Sequence, residues 1–243
     1  MNVKWISHRG ESIDAPENSL AAFKLSLERN TDGMECDVHL TSDGKVVVAH
    51  DPSTARMGDR RLIIAESKYQ DLIKVNISGA YDAYPDEHIP TLEEALQFLG
   101  KDREFYIELK PGSPDLVPAT AKILEASGIP SRQIVIISFD EDMISLSKKI
   151  MPQYLALWLT GMPADMTWEK LMDKLTAMHA DGVDSFANET VLTADFIRNL
   201  HSQGMLVAIW TVDQPGQARR FIEMGVDSIT SNRAAKLRDM LAK

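Results

Sequence analysis

The chain has 243 residues, 44% of them hydrophobic, and 26 Lys+Arg against 36 Asp+Glu give a formal net charge of −10. That length suits one α/β barrel of ~250 residues or two smaller domains, and the composition is that of a globular protein with a sizeable core. The acidic balance argues against a nucleic acid or an anionic membrane surface as partner, and no run of about 18 apolar residues is present to span a bilayer.

An apolar run from Val3 to Ile6 follows Met1-Asn2 directly, with no secretory apolar segment before it, so cytoplasmic residence is expected. Bounded by Gly10, the run reads as a short buried strand. It delivers His8 and Arg9 at its C-terminal end, where barrel enzymes hold their chemistry. Asn18 or Ser19 then offers an N-cap to a first helix whose apolar face carries Leu20, Phe23 and Leu27. Asp32-Gly33 turns the chain into a second strand, Gly33-Met34-Glu35-Cys36-Asp37-Val38. Alternation puts Glu35 and Asp37 on one face and Met34, Cys36 and Val38 on the other. Cys36, the single cysteine, excludes an intramolecular disulfide and reads as a small buried apolar residue. Thr41-Ser42-Asp43-Gly44 is a hairpin-type turn leading into Val46-Val47-Val48-Ala49 and then His50-Asp51.

Residues 51–88 break the rhythm, mixing charges with tyrosines over a stretch too long for an ordinary loop. It reads either as a partly helical surface excursion or, preferably, as a lid. Regular alternation resumes with a helix from about Leu92 to Leu99 and a strand from Phe105 to Lys110, in which Glu108 and Lys110 share a face. Further helices are expected from about Leu116 to Ala126, around Met143, Leu146 and Ile150, and from about Trp168. Two more belong around Phe196, Ile197 and Leu200 and around Ala218, Phe221 and Ile222, and a last one from about Ala234 to Leu241. Strands are expected over 134–138, 154–159 and 206–210. Gly182-Val183-Asp184-Ser185-Phe186 and Gly225-Val226-Asp227-Ser228-Ile229 look alike, as repeated helix-to-strand joints would. Strand–helix alternation repeated about eight times implies a parallel sheet. At this length a closed (β/α)8 barrel over residues 1–243, a single domain with 51–88 as a lid-like insertion, is favoured over an open doubly wound sheet. No Gly-x-Gly-x-x-Gly or Gly-Lys-Ser/Thr phosphate loop supports the open alternative.

Glu35, Asp37 and Glu108 all fall on strands, where charge is costly unless paired. They could pair with Arg9 and Lys110 in a salt-bridge network, but apolar residues would build such an interior more stably. An excess of acids over bases is better explained by a cation. An all-carboxylate set suits a hard divalent ion, Mg²⁺ or Ca²⁺ with Mn²⁺ as a further candidate, and not Zn²⁺. His8 and His50 both belong at the barrel mouth, where histidine serves as acid or base near neutral pH. His88, His179 and His201 lie in joints or on helices and read as structural; His39, just before a turn, reads as rim.

In order along the chain stand His8-Arg9-Gly10, Pro16-Glu17-Asn18-Ser19, Glu35-x-Asp37, Asp43-Gly44, His50-Asp51, Ile89-Pro90-Thr91-Leu92-Glu93-Glu94, Glu108-x-Lys110 and Trp210-Thr211-Val212. Together they resemble the glycerophosphodiester phosphodiesterase family over nearly the whole chain. The resemblance implies hydrolysis of a small-molecule glycerophosphodiester to sn-glycerol 3-phosphate and an alcohol. It implies a divalent metal on Glu35, Asp37 and Glu108, acid/base work by His8 and His50, and Arg9 and Lys110 on the phosphoryl oxygens. Trp210, which by position faces either core or substrate, would contact the glycerol moiety, and the insertion would help to bind substrate. Asn18 fits the family's Glu-Asn-Ser signature as well as it fits helix capping. Two alternatives stay open: a lysophospholipase D-like phosphodiesterase, and a non-catalytic barrel that binds phosphorylated ligands. Head group, native metal and oligomeric state are not legible.

Overall fold

The structure, a computed structural model, describes residues 3–163 and 165–242. Its centre is a set of eight parallel strands: β1 (Lys4–Ser7), β2 (Gly33–Leu40), β4 (Glu104–Leu109), β5 (Ile134–Ser138), β6 (Leu155–Thr160), β7 (Gly182–Phe186), β8 (Leu206–Trp210) and β9 (Ser228–Ser231). They pair in chain order, and β1 pairs with both β9 and β2, which closes the sheet into a (β/α)8 barrel. The remaining strand, β3 (Val46–Val48), runs antiparallel to β2 with Val38 opposite Val48. The Val46 run is therefore the return arm of a hairpin, as the Asp43-Gly44 turn indicates, and not a barrel strand.

Helices α1 (Leu20–Glu28), α3 (Leu92–Leu96), α4 (Leu116–Ser127), α5 (Glu141–Ile150), α6 (Trp168–Met178), α7 (Ala194–Ser202), α8 (Pro215–Met224) and α9 (Ala234–Leu241) follow the barrel strands. Side-chain caps start several of them: Ser19 on α1, Thr91 with Glu94 in a capping box on α3, Asp140 on α5, Thr167 on α6 and Thr193 on α7. α3 ends at Leu96, three residues short of expectation, and Gln97 and Phe98 follow in a turn. Because strand side chains alternate, the barrel has two cores. Met34, Cys36 and Val38 face outward with Phe23, Phe105 and Leu109 into the layer between sheet and helices. Ile6, Tyr106, Val135, Leu157 and Ala208 fill the interior. Cys36 is buried in the outer layer, as its parity requires.

One polar device recurs where helices return to strands. Asp32 Oδ2 accepts from Trp5 N (2.9 Å), Asp181 Oδ2 from Ala156 N (2.8 Å) and Asp227 Oδ2 from Val207 N (2.7 Å). Each carboxylate satisfies the first free N–H of the neighbouring strand, at the barrel end away from the chemistry. The backbone ladder confirms the equivalence: Asp32 N, Asp181 N and Asp227 N donate to the carbonyls of Trp5, Ala156 and Val207. The true repeat is thus Asp32-Gly33, Asp181-Gly182 and Asp227-Ser228. Gly182-Val183-Asp184 and Gly225-Val226-Asp227 look alike but are out of register, and Asp184 is displaced into the barrel.

The insertion holds a short α2 (Tyr69–Leu72), a 3₁₀ turn at Ile64–Glu66 and a small core of Val47, Ile64, Leu72, Val75, Ile77 and Ile89 packed on β3. Among the described residues no helix is long and apolar enough to cross a membrane.

Candidate active site

β1 ends in a turn that only a small residue permits. Arg9 takes φ 55° and Gly10 φ 77°, and a Cβ at Gly10 would lie 2.6 Å from the Ala22 backbone, so Gly10 lets the turn lie against α1. The unusual Arg9 conformation aims its N–H at Glu35 Oε2 (2.9 Å). Its guanidinium reaches Asp37 (Nε to Oδ2, 3.2 Å) and Glu17 (Nη1 to Oε1, 2.9 Å).

Carboxylate oxygens of Glu35, Asp37 and Glu108, all buried, lie within 4.8 Å of one another. β2 and β4 bring them together, with Asp37 opposite Glu108 in the parallel register. The Lys110 ammonium is 2.7 Å from both Asp37 Oδ1 and Glu108 Oε1. Asn18 donates its amide to Asp37 Oδ2 (2.8 Å) and accepts from Asp37 N (3.3 Å). Ser19 alone caps α1, so Asn18 serves the acidic cluster and not the helix.

These partners are shared unequally. Burial raises the Asp37 carboxyl, but Lys110 and Arg9 outweigh it and hold the group well below the usual range. Burial and the neighbouring Asp37 push Glu108 up to about 7, against the pull of Lys110. Glu35 is raised well above its ordinary value by burial and by Asp37 and Glu108, and among the described residues its one hydrogen-bond donor is the Arg9 backbone. Three clustered carboxylates thus face two side-chain cations, and Glu35 is left the least compensated. A divalent cation on Glu35, Asp37 and Glu108 fits both the donor set and the missing charge.

The two histidines differ in their partners. His8 Nδ1 is 2.7 Å from Asn232 Oδ1, while Asn232 donates its amide nitrogen to Asp213 Oδ2 (2.6 Å). A carboxylate can only accept, so Asn232 must turn its oxygen toward His8, and His8 must carry its proton on Nδ1. That leaves Nε2 with a free lone pair. Burial, then repulsion from Arg9, lowers His8 to about 4, so the ring is neutral at pH 7. His50 Nδ1 pairs with Asp51 Oδ1 at 2.7 Å, and Arg56 ties Asp51 (2.6 Å) to Glu17 (2.7 Å). His39 Nε2 lies 3.2 Å from the His50 backbone carbonyl, at the edge of this group.

A cavity of about 200 Å³ opens at the strands' C-terminal end, lined on one side by His8, Arg9, Glu35, His50 and Glu108. Its other side is Ile137, Phe139, Leu159, Asp184, Trp210 and Thr230. Six of the eight residues expected from the sequence therefore face one space. Asp37 and Lys110 stand behind its wall, where the Lys110 ammonium is engaged by carboxylates. Trp210 faces the cavity, donates Nε1 to Asp184 O (3.1 Å) and packs edge-on with Phe139 and Phe186. Sequence reasoning passed over Asn232, Asp213, Asp184 and Thr230. No local pattern marks them, because strands far apart in sequence bring them to the site. Glu17 and Asp51 stood inside quoted motifs and could have been found there.

Residues 8–236 match the Glycerophosphoryl diester phosphodiesterase family. A glycerophosphodiester phosphodiesterase of Caldanaerobacter subterraneus subsp. tengcongensis is 28% identical over 249 residues, covering 100% of this chain and 99% of its own. One from Bacillus altitudinis is 28% identical, with 98% of each chain covered. An Oleispira antarctica phosphodiesterase, solved in complex with the product sn-glycerol-3-phosphate, shares the fold at TM-score 0.87 and 23% identity, over 98% of this chain and 96% of that one. Matched over nearly its whole length, the chain belongs to the glycerophosphoryl diester phosphodiesterase family of hydrolases.

Proposed function

We propose that this enzyme hydrolyses glycerophosphodiesters to sn-glycerol 3-phosphate and an alcohol, with a divalent cation on Glu35, Asp37 and Glu108 and with His8 and His50 exchanging protons. The observation that carries this reading is the convergence of three clustered carboxylates and two separately oriented histidines on one cavity. The product bound in the Oleispira antarctica relative supports the same reaction. A cation held there would polarise the phosphoryl group and acidify a hydroxyl beside it.

His8, neutral and with Nε2 free, takes the proton of the attacking hydroxyl. Glycerol offers such a hydroxyl beside the esterified oxygen, already positioned for intramolecular attack. His50 gives its proton to the departing alcohol. Asp51 holds the ring by Nδ1 and stabilises the imidazolium whenever it forms. A cyclic glycerol phosphate results, and water opens it with the two roles reversed. Arg9, on the cavity wall, offsets charge on the phosphoryl oxygens, with Lys110 behind it. The enzyme is read as cytoplasmic, with the 51–88 insertion as a lid-like element of its single domain.

A panel of glycerophosphodiesters assayed for released glycerol 3-phosphate, with and without chelator, tests this. Activity should vanish on chelation and return with Mg²⁺ or Ca²⁺; full turnover with metal content verified as nil would sink the metal-dependent reading. Glu35→Gln and Asp37→Asn should lose metal affinity and keep the fold. A diester lacking the adjacent hydroxyl should bind and turn over very slowly, and an ordinary rate would discard the cyclic route. One observation favours a second reading. Phe139 and Phe186, 45% and 49% exposed, give the mouth an apolar rim suited to a lysophospholipid chain. Faster turnover of lysophospholipids than of water-soluble diesters would establish that alternative.

A further inference from the structure

On the apolar side of the cavity two buried polar groups have no hydrogen-bond partner among the described residues. Asp184 projects from β7, 1% exposed, and its Oδ1 meets no donor; Thr230 projects from β9, 2% exposed, and its Oγ1 is likewise unpaired. Both line the cavity. The chemistry outlined above uses neither. Equivalent inward positions on β5 and β6 carry Ile137 and Leu159, so the barrel fills this level with apolar side chains where nothing else is required. Buried polar groups without partners carry a desolvation cost that a native fold rarely tolerates unexplained.

The register shows what lies between them. Asp184 pairs with Ala208 on β8, and Ala208 pairs with Ser228, two residues before Thr230 on the same face of β9. Ala208 lies below the cavity, beside Ser228 and Tyr106, and the next inward residue on β8, Trp210, lines the cavity together with the two polar groups. A carboxyl and a hydroxyl aimed into one space, with no lysine or arginine among the described residues hydrogen-bonded to either, match a neutral partner that both donates and accepts. Burial raises the Asp184 carboxyl above its ordinary value.

The opposite wall already has the groups for a phosphate and for the hydroxyl next to it. We propose that Asp184 and Thr230 bind the other, terminal hydroxyl of the glycerol unit and thereby select glycerol over diols that lack it. This rests on the glycerophosphodiester reading and assigns its polyol specificity to two named residues. A site built to hydrogen-bond a hydroxyl strongly rejects the analogue without it, because its own polar groups are then left unpaired.

The test compares a glycerophosphodiester with the matching propane-1,2-diol phosphodiester, which keeps the adjacent hydroxyl and lacks only the terminal one. Wild-type enzyme should prefer the glycerol compound in kcat/KM by on the order of 10²-fold. Asp184→Leu should bring the preference to within about threefold, through loss on the glycerol substrate, and Asp184→Asn, which can still donate and accept, should retain most of it. Thr230→Val, nearly isosteric, should lower the preference by roughly tenfold and keeps the test decisive should Asp184→Leu fail to fold. An unaltered preference in folded Thr230→Val and Asp184→Leu overturns the assignment, as does a wild-type enzyme indifferent to the terminal hydroxyl. A wild type that releases no glycerol 3-phosphate from any diester overturns the functional reading instead, and this inference with it.

Discussion

His8 has one neighbour that decides which of its nitrogens works. Asn232 binds Nδ1, and Asp213 holds Asn232 by both backbone N–H (2.9 Å) and side-chain amide (2.6 Å), so the Nε2 lone pair is presented by a chain of three residues. Replacing His8 or His50 by Ala should lower turnover by ~10²–10⁴-fold with the fold intact, the scale of a lost acid or base. Asn232→Ala should cost on the order of 10-fold, since the ring stays but its orientation is lost. The pH profile separates the two effects. A base must be deprotonated to act, so the acid limb of kcat/KM should lie below the ordinary histidine value of 6.5, because burial and Arg9 lower His8 toward about 4. An acid limb at or above the ordinary value in wild type would remove His8 from the role of base. Asp184 makes a second, opposite signature in stability. Its carboxyl is raised from 3.8 to about 8, so between those values the folded state keeps a proton that the unfolded chain has released. Stability then falls as pH rises through that window. Asp184→Asn removes this loss, and its advantage over wild type should grow from pH 4 toward about 8 and level off above it. Denaturant unfolding of chelated protein at several pH values measures this; parallel curves would show that Asp184 is not held protonated.

At the scale of elements, strand starts at one end of the barrel are secured by carboxylates that look like ordinary turn residues. Asp181 accepts from Ala156 N and from the Lys148 ammonium (2.8 Å each), and Asp227 from Val207 N (2.7 Å) and His201 Nε2 (2.9 Å). Asp181→Ala leaves the Ala156 N–H without its acceptor and Lys148 with only the Tyr154 carbonyl (3.2 Å), and should destabilise by about 1–3 kcal/mol with kcat unchanged. A loss of turnover at full stability would reverse that placement. The same elements show why much of this fold could be read from the sequence. Alternation fixed the facing of Glu35, Asp37 and Glu108, since a strand's two faces follow from parity alone. β5, β8 and α9 fall where apolar periodicity and punctuation put them. Register between strands was not legible, because backbone ladders depend on partners distant in sequence. Hence the Gly-Val-Asp-Ser likeness was aligned three residues out of step, and Asp184 was overlooked beneath it. Asn232 was hidden for the same reason: its significance comes from β9 lying beside β1, which only closure of the barrel creates.

Across the whole molecule, the two ends of the barrel and the insertion divide the work. The lower end carries strand-start carboxylates, the upper end carries the cavity, and an acidic protein of net charge −10 concentrates Arg9, Lys110 and Arg56 around that upper end. The insertion touches the site through Arg56, which bridges Asp51 and Glu17, while the residues lining the cavity come from the barrel strands, the turns after them and His50. Two separable consequences follow. Arg56→Ala loosens the Asp51 that holds His50, so turnover should fall by a similar factor, roughly 3- to 30-fold, on every substrate, as for other residues that orient a catalytic group. Shortening the insertion beyond Arg56, while keeping Arg56 and the β3 contacts, leaves the histidines and the residues lining the cavity in place. If the segment acts as a lid, natural glycerophosphodiesters should then lose much more kcat/KM than a small activated diester, whose leaving group needs little recognition. The pair of measurements is decisive because the two substrates share the carboxylates and both histidines and differ in what lies outside them. Equal losses on both would reduce residues 51–88 to a buttress for β3 and Asp51.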